Sequence, residues 1–242
     1  MEKDQVFAGK KRKIQSFKFN KEVARVFDDM LNRSVPFYKE SIRRQSELAA
    51  QFYQPCSRIY DLGCSHGNLG IMVIEQFKEK LFKMVAVDSS KPMIEKYSKR
   101  LEQYDTGPRV DLVCGFLEDM QIKNASVVLI NLTLQFLDKE KRDDLIKKIY
   151  QGMNSNGILV LTEKTIHASK ELNDLQTKFY KAFKLENGYS ELEISQKRDA
   201  LEKVLVPDTI ETHEKRILKA GFDQFDIWLK WFNFASMMAI KR

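Results

Sequence analysis

The sequence predicts an α/β fold on a mostly parallel, doubly wound sheet, and three observations predict it. From Arg58 onward, short runs of apolar and β-branched residues alternate with helical stretches of about ten to fifteen residues, the rhythm of right-handed βαβ units. A glycine-rich segment, Gly63-Cys64-Ser65-His66-Gly67, follows the first of these runs and opens a helix. The last two runs, Gln224–Leu229 and Asn233–Ile240, are close enough to pair as a hairpin and so finish the sheet antiparallel. Seven strands are expected, with helices before them and a helical insertion near the end.

Taken in order, Glu22–Leu31 reads as a helix, ended by the loop Asn32-Arg33-Ser34-Val35-Pro36. Tyr38–Phe52 is a second helix, charged on one face and carrying Ile42, Leu48 and Ala49 on the other. Arg58–Leu62 is a strand, and Asn68–Phe77 a helix with Leu69, Ile71, Met72, Val73 and Phe77 apolar. Met84–Val87 is a strand, and Pro92, in a favoured first-turn position, opens a helix to about Gln103. Val110–Cys114 and Ser126–Ile130 are strands, Lys139–Met153 a helix and Ile158–Leu161 a strand. After Lys164 the pattern changes: Ala168 to Leu205 is helical and charged, broken at Glu186-Asn187-Gly188-Tyr189, and makes a cap over the sheet edge spanning about 166–206. Thr209–Ala220 is a helix ended by Gly221. The expected organisation is a basic flexible tail over 1–18 and one domain over 19–242, without internal repeat or linker.

Composition narrows the function classes. Of 242 residues, 43% are hydrophobic and 31% charged, a soluble globular balance, and no apolar run approaches the roughly 18 residues of a membrane span. The charged N-terminus has no apolar stretch behind it, so no secretory signal is expected. Three cysteines without a CxxC pair suit a reducing cytoplasm. The formal charge of +7 points to anionic company. Part of it sits in Lys10-Lys11-Arg12-Lys13, which lacks interleaved aromatics and reads as a solvated tail; direct tRNA binding is not expected.

The glycine-rich loop allows three chemistries. At the carboxyl end of a first strand, glycines let a ligand approach the backbone and the helix N-terminus offers free N–H groups. Asp88 ends the second strand at about the separation where such sites carry the acid that accepts ribose hydroxyls. Loop and acid together read as a nucleoside site. A dinucleotide site wants glycine where Ser65 stands, and Asp61 would oppose a pyrophosphate while favouring an ammonium or a sulfonium. S-adenosylmethionine carries both cations. The loop also fits G-x-S-x-G, but a hydrolase elbow follows later strands and needs an oxyanion motif of the HGGG type that is absent, although His213 is available to complete a triad. His66 and His167 read as packing or surface residues. No His/Cys cluster has ligand spacing, so a metal-free site is expected.

The segments "FDDMLNRSVPFY", "YDLGCSHG", "NASVVLINLTLQFL", "KIYQGMN" and "NGYSELEISQKR" together resemble the carboxy-S-adenosyl-L-methionine synthase family, from about Phe19 to the end. The last is the specific one, because ordinary methyltransferases have no counterpart. The resemblance implies a seven-stranded, Rossmann-like, S-adenosylmethionine-binding sheet in a cytoplasmic homodimer. It implies conversion of S-adenosyl-L-methionine and prephenate to carboxy-S-adenosyl-L-methionine, phenylpyruvate and water. The product would then serve a separate tRNA carboxymethyltransferase acting on wobble uridine.

By the same resemblance, Gly63, Cys64 and Ser65 surround the methionine part, Asp88 and Ser89 take the ribose side, and Tyr38 lies over the site. Asn131 ends the fourth strand; its "NLTL" lacks both prolines of the N-P-P-aromatic motif, which speaks against amine methylation. Arg198 is implied to hold the added carboxylate, reaching a neighbouring protomer's site; a guanidinium suits that task because it grips carboxylate bidentately. The sequence departs from the family at Phe116, where an acid usually takes the adenine amine. Leu117 backbone, a stacked aromatic, and Glu118 or Asp119 are the expected substitutes. On residues alone, an ordinary methyltransferase acting on a small acid or tRNA stays open, as does a catalytically silent cofactor-binding subunit.

Overall fold

The computed structural model describes residues 2–77, 81–104 and 109–242. The chain begins with α1 (Lys21–Ser34) and α2 (Tyr38–Phe52), followed by β1 (Arg58–Leu62), α3 (Asn68–Phe77), β2 (Met84–Asp88) and α4 (Lys91–Leu101). Next come β3 (Val110–Cys114), β4 (Ala125–Asn131), α5 (Lys139–Gly152) and β5 (Met153–Ile166). The two helices α6 (Lys170–Glu186) and α7 (Glu191–Leu201) precede β6 (Asp208–Thr209), α8 (Ile210–Ala220), β7 (Gln224–Trp231) and β8 (Phe234–Ile240). The strands run β3-β2-β1-β4-β5-β8-β7, parallel through β5 and antiparallel after it. The two-residue β6 adds a short parallel rung beside the end of β5. Reversal of strand order between β1 and β4 opens a crevice at their carboxyl ends, where open α/β sheets bind ligands.

Both sheet faces are covered, which explains the unbroken apolar runs of the central strands. Ile130, Leu145, Ile146, Leu159 and Leu161 pack on one side, and Ile59, Val73, Val127, Leu129 and Val160 on the other. Two expected boundaries move. Helix α1 continues through Asn32-Arg33-Ser34, because Arg33 is anchored at 3.1 Å to Asp29 one turn earlier and donates to Asn187 O at 2.8 Å. The break comes at Val35, extended at φ −115°, ψ 113° as a residue before proline prefers. Strand β5 is far longer than Ile158–Leu161: polar Thr162, Glu163 and Lys164 continue the ladder against Ser236, Ala235 and Phe234. Their polarity hid them from an apolar pattern, and they serve the site instead.

The N-terminal segment corrects the expectation of a flexible tail over 1–18. Phe7 and Phe17 are buried in a cluster with Val23, Phe27 and Met30. Asp4 is 1% exposed and accepts the Tyr189 hydroxyl at 2.6 Å. Gln196 of α7 donates to Phe7 O and Gly9 O, both at 2.9 Å, and accepts from Lys11 N at 2.7 Å. Only the charges behave as expected: Lys10, Lys11, Arg12 and Lys13 are all exposed. The interleaved Phe and Asp residues, not the basic run, decide how this segment packs.

Candidate active site

The loop after β1 is shaped for close approach. Gly63 has φ +85°, and its N–H and that of Cys64 donate to Val87 O at 2.8 and 2.9 Å, holding the loop against β2. Ser65 is left-handed at φ +50°. Asp88, at the end of β2, ties the structure together: its Oδ2 accepts Ser65 N at 2.9 Å and its Oδ1 accepts Ser90 N at 2.8 Å. Burial raises its pKa while these two donors oppose the rise. Each oxygen keeps a further lone pair for a pair of hydroxyls.

Asp61, two residues before Gly63, is 1% exposed, and its Oδ2 has no hydrogen-bond partner among the described residues. Burial, with the nearby Asp88 charge adding to it, pushes its pKa up to about 7. An approaching cation would favour its ionised form. Tyr38 opens α2 with its hydroxyl accepting from Asn68 Nδ2 at 3.2 Å. Asn131 Oδ1 accepts Gln45 Nε2 at 3.2 Å, so its own amide N–H groups remain for a ligand. The turn after Asn131 is fixed from below by Glu163, fully buried, which accepts Thr133 N at 3.0 Å, Leu134 N at 2.8 Å and Gln135 N at 3.0 Å. Burial pushes the Glu163 pKa up to about 8 against those three donors.

All ten residues expected in the site line one cavity of about 640 Å³: Tyr38, Gly63, Cys64, Ser65, Asp88, Ser89, Phe116, Leu117, Asn131 and Arg198. Phe116 is 63% exposed, while Leu117 is buried. Of the two expected substitute acids, Glu118 lines the cavity and pairs with Lys141 at 3.1 Å, whereas Asp119 is not part of the wall. Arg198 stands on α7 with a largely exposed guanidinium, 3.2 Å from Asp199. Sequence reasoning missed the cationic part of the cavity wall: Lys164 of β5, Lys181 and Lys184 of α6 beside Tyr180, and Lys197 of α7. Their helices read only as charged, and their convergence depends on how α6 and α7 fold back.

The segment Asn187–Arg198 now has a physical account. Gly188 turns at φ +80°, and Ser190 and Glu193 form a capping box that starts α7. The Tyr189 ring lies beneath Arg33 at 3.8 Å and Lys197 at 5.2 Å. This pins the helix that brings Lys197 and Arg198 to the cavity. The hydrolase reading fails: His213 packs against Arg216 on α8, which in turn pairs with Asp208 of β6, and it does not line the cavity that contains Ser65. His66, expected to be a packing or surface residue, lines the cavity beside Ser65; it is buried edge-on to Phe27 with Nε2 3.1 Å from Asp28 Oδ1.

A family model for a methyltransferase domain matches residues 59–157. Across its whole length the chain is 55% identical to the carboxy-S-adenosyl-L-methionine synthase of Desulforapulum autotrophicum, covering 98% of that protein. The chain belongs to the carboxy-S-adenosyl-L-methionine synthase family. A Shewanella baltica carboxy-S-adenosyl-L-methionine synthase is 46% identical over 98% of each chain. Among solved structures, one from Methanococcus maripaludis, described as an S-adenosyl-L-methionine-dependent methyltransferase, superposes with a TM-score of 0.61. It covers 96% of this chain and 97% of its own at 19% identity, a likeness of fold alone. Within the carboxy-S-adenosyl-L-methionine synthase family, the donor set above fits S-adenosyl-L-methionine: an unpartnered Asp61 for the ammonium, Asp88 for ribose hydroxyls and a glycine loop between them. Among the described residues no group of three or more His, Cys, Asp or Glu could hold a metal, and no helix is long and apolar enough to cross a membrane.

Proposed function

We propose that the protein converts S-adenosyl-L-methionine and prephenate to carboxy-S-adenosyl-L-methionine, phenylpyruvate and water. The observation that carries this reading is one cavity whose wall includes both the acid-bearing nucleoside loop and a group of cations. A methyl donor needs the first set; a dianionic co-substrate needs the second. The atoms balance without a further reagent. Prephenate loses carbon dioxide and hydroxide as its ring becomes aromatic. The hydroxide takes a proton from the methyl group on sulfur, and the resulting ylide carbon attacks carbon dioxide to form the new carbon–carbon bond.

The chain's own groups position and shelter these reactants. Asp61 fixes the amino-acid end, Asp88 and Ser89 the ribose, Phe116 and Leu117 the base, and Tyr38 covers the site beside Asn131. Arg198 holds the new carboxylate. Exclusion of water keeps carbon dioxide beside the ylide until they meet. The reading includes a cytoplasmic homodimer in which Arg198 serves a neighbouring protomer. Supporting it, α6 contains no buried residue, and Leu172, Leu175 and Phe179 are each 45% exposed. The product would supply a separate tRNA carboxymethyltransferase acting on wobble uridine. The test is to incubate protein, S-adenosyl-L-methionine and prephenate and follow two products by mass spectrometry. Phenylpyruvate and a sulfonium heavier by carbon dioxide should rise together; methyl transfer to an acceptor with prephenate untouched would defeat the reading.

A further inference from the structure

Two lysines of the cavity wall lie near one aromatic ring. Lys164 Nζ, from the end of β5, lies 5.1 Å from the Tyr180 ring centroid, and Lys184 Nζ, one turn along α6, lies 4.2 Å from it. Tyr180 is itself held edge-on against Phe234, the β8 partner of Lys164, at 5.2 Å. The neighbouring cations have oxygen partners: Lys181 pairs with Glu191 at 2.9 Å, Lys197 with Ser34 Oγ at 3.1 Å and Asp4 at 3.8 Å, and Arg198 with Asp199. Lys164 and Lys184 have neither an ion pair nor an ammonium hydrogen bond among the described residues. Two half-buried ammonium groups close to one ring lose solvation, and Lys164 adds repulsion at Lys184. An anion that reaches both ammonium groups reverses both costs.

We propose that Lys164 and Lys184, lying against Tyr180, form a subsite for the carboxylate of a 2-oxo acid, the pyruvyl carboxylate that the second substrate keeps. This inference rests on the reaction proposed above. The chemistry chooses which carboxylate. The ring carboxylate must shed its charge as carbon dioxide, and a cation pair gripping it would stabilise the ground state more than the transition state. The pyruvyl carboxylate keeps its charge throughout, so gripping it orients the substrate without opposing the step. The same site therefore retains affinity for phenylpyruvate.

Proton linkage gives the subsite a signature of its own. Burial, then repulsion from Lys164 of β5, Lys197 and Arg198 of α7 and Lys181 of its own helix, lowers the Lys184 pKa to about 7. At pH 8 the empty site holds Lys184 mostly neutral; an arriving carboxylate raises its pKa and draws a proton from solvent. At pH 6 the proton is already present and no uptake accompanies binding.

The experiment uses the full chain with S-adenosyl-L-methionine, prephenate for turnover and phenylpyruvate as the binding probe. Lys164→Met and Lys184→Met should each raise KM for prephenate about tenfold or more while S-adenosyl-L-methionine Kd stays within about twofold. Calorimetry at pH 8 in two buffers of different ionisation heat should show phenylpyruvate binding with uptake approaching one proton. Lys184→Arg should bind the probe with clearly less uptake than wild type, because a guanidinium is charged throughout and only Lys164, also lowered by burial, is left to titrate; this variant decides the matter if the methionine variants fail to fold. Wild-type turnover with both lysine variants unchanged in KM and probe affinity would overturn the subsite and leave the reaction standing. No turnover of prephenate by wild type, with lysine-dependent phenylpyruvate binding, would overturn the reaction and leave the subsite standing.

Discussion

Thr133 occupies the space that any side chain at residue 63 would need: a Cβ on Gly63 would lie 2.1 Å from Thr133 Oγ1 and 2.2 Å from its Cγ2. The glycine is thus required twice, by contact and by its φ of +85°. Gly63→Ala should cost about 1–3 kcal/mol of stability and weaken S-adenosyl-L-methionine binding by about a hundredfold, read by thermal melting and calorimetry. Adding Thr133→Ala should recover part of the stability, since the clash goes and the backbone strain stays. Full tolerance of Gly63→Ala would contradict this geometry.

Asp61 makes cofactor binding pH-dependent. With its pKa raised to about 7 by burial and by Asp88, the empty site holds a proton there below pH 7. An ammonium needs the ionised form, so binding must expel that proton. Affinity for S-adenosyl-L-methionine should rise by up to about tenfold per pH unit on approaching pH 7 and level off above it. Asp61→Asn should weaken binding by about 1–3 kcal/mol and remove the slope near neutrality. A pH-independent wild type would show that no ammonium meets Asp61.

Arg198 and the exposed face of α6 should fail together. Arg198→Ala should leave S-adenosyl-L-methionine affinity within about twofold while weakening the carboxylated product by about 2 kcal/mol or more. Arg198→Lys should restore only part, lacking the planar fork. If a neighbouring protomer supplies this residue, Leu175→Glu should give a monomer in light scattering with the same selective loss of product affinity. A fully active monomer would separate the arginine from any interface.

His213 sets an acid limit to stability. Burial, followed by the charges of Arg216 and Arg142 against the opposing Asp208, lowers its pKa from 6.5 to about 4. Between those values the unfolded chain takes a proton that the folded chain refuses, so stability falls as pH drops through this window. The loss should reach about 2–3 kcal/mol by pH 4. His213→Gln should flatten that limb relative to wild type in urea melts at pH 7, 5.5 and 4.5. Parallel curves would place the acid transition elsewhere.

The parallel strands were legible because burial on both faces writes them as apolar runs, and the loop from Gly63 to Gly67 because turn geometry demands glycine. Asp88 was legible by its distance from that loop. Glu163 and Lys164 were not, since a polar residue inside a strand looks like the strand's end. Nor were Lys184 and Tyr180: i and i+4 on a charged helix show a shared face but not what that face looks upon. The packing of Phe7 and Phe17 was masked by the basic run between them, whose charges describe only the outward side of the segment.

The clasp between the first residues and α7 has a consequence for the order in which the molecule takes shape. Asp4 finds Tyr189 and Phe7 finds Gln196 across 185 and 189 residues of chain. During synthesis, residues 4–9 leave the ribosome long before their partners exist, and contacts this distant in sequence form late. The βαβ units can assemble from local pieces as they emerge. The helix that carries Lys197 and Arg198 is locked only when both ends of that long span are present, so the sheet is built before the chamber it will serve is closed.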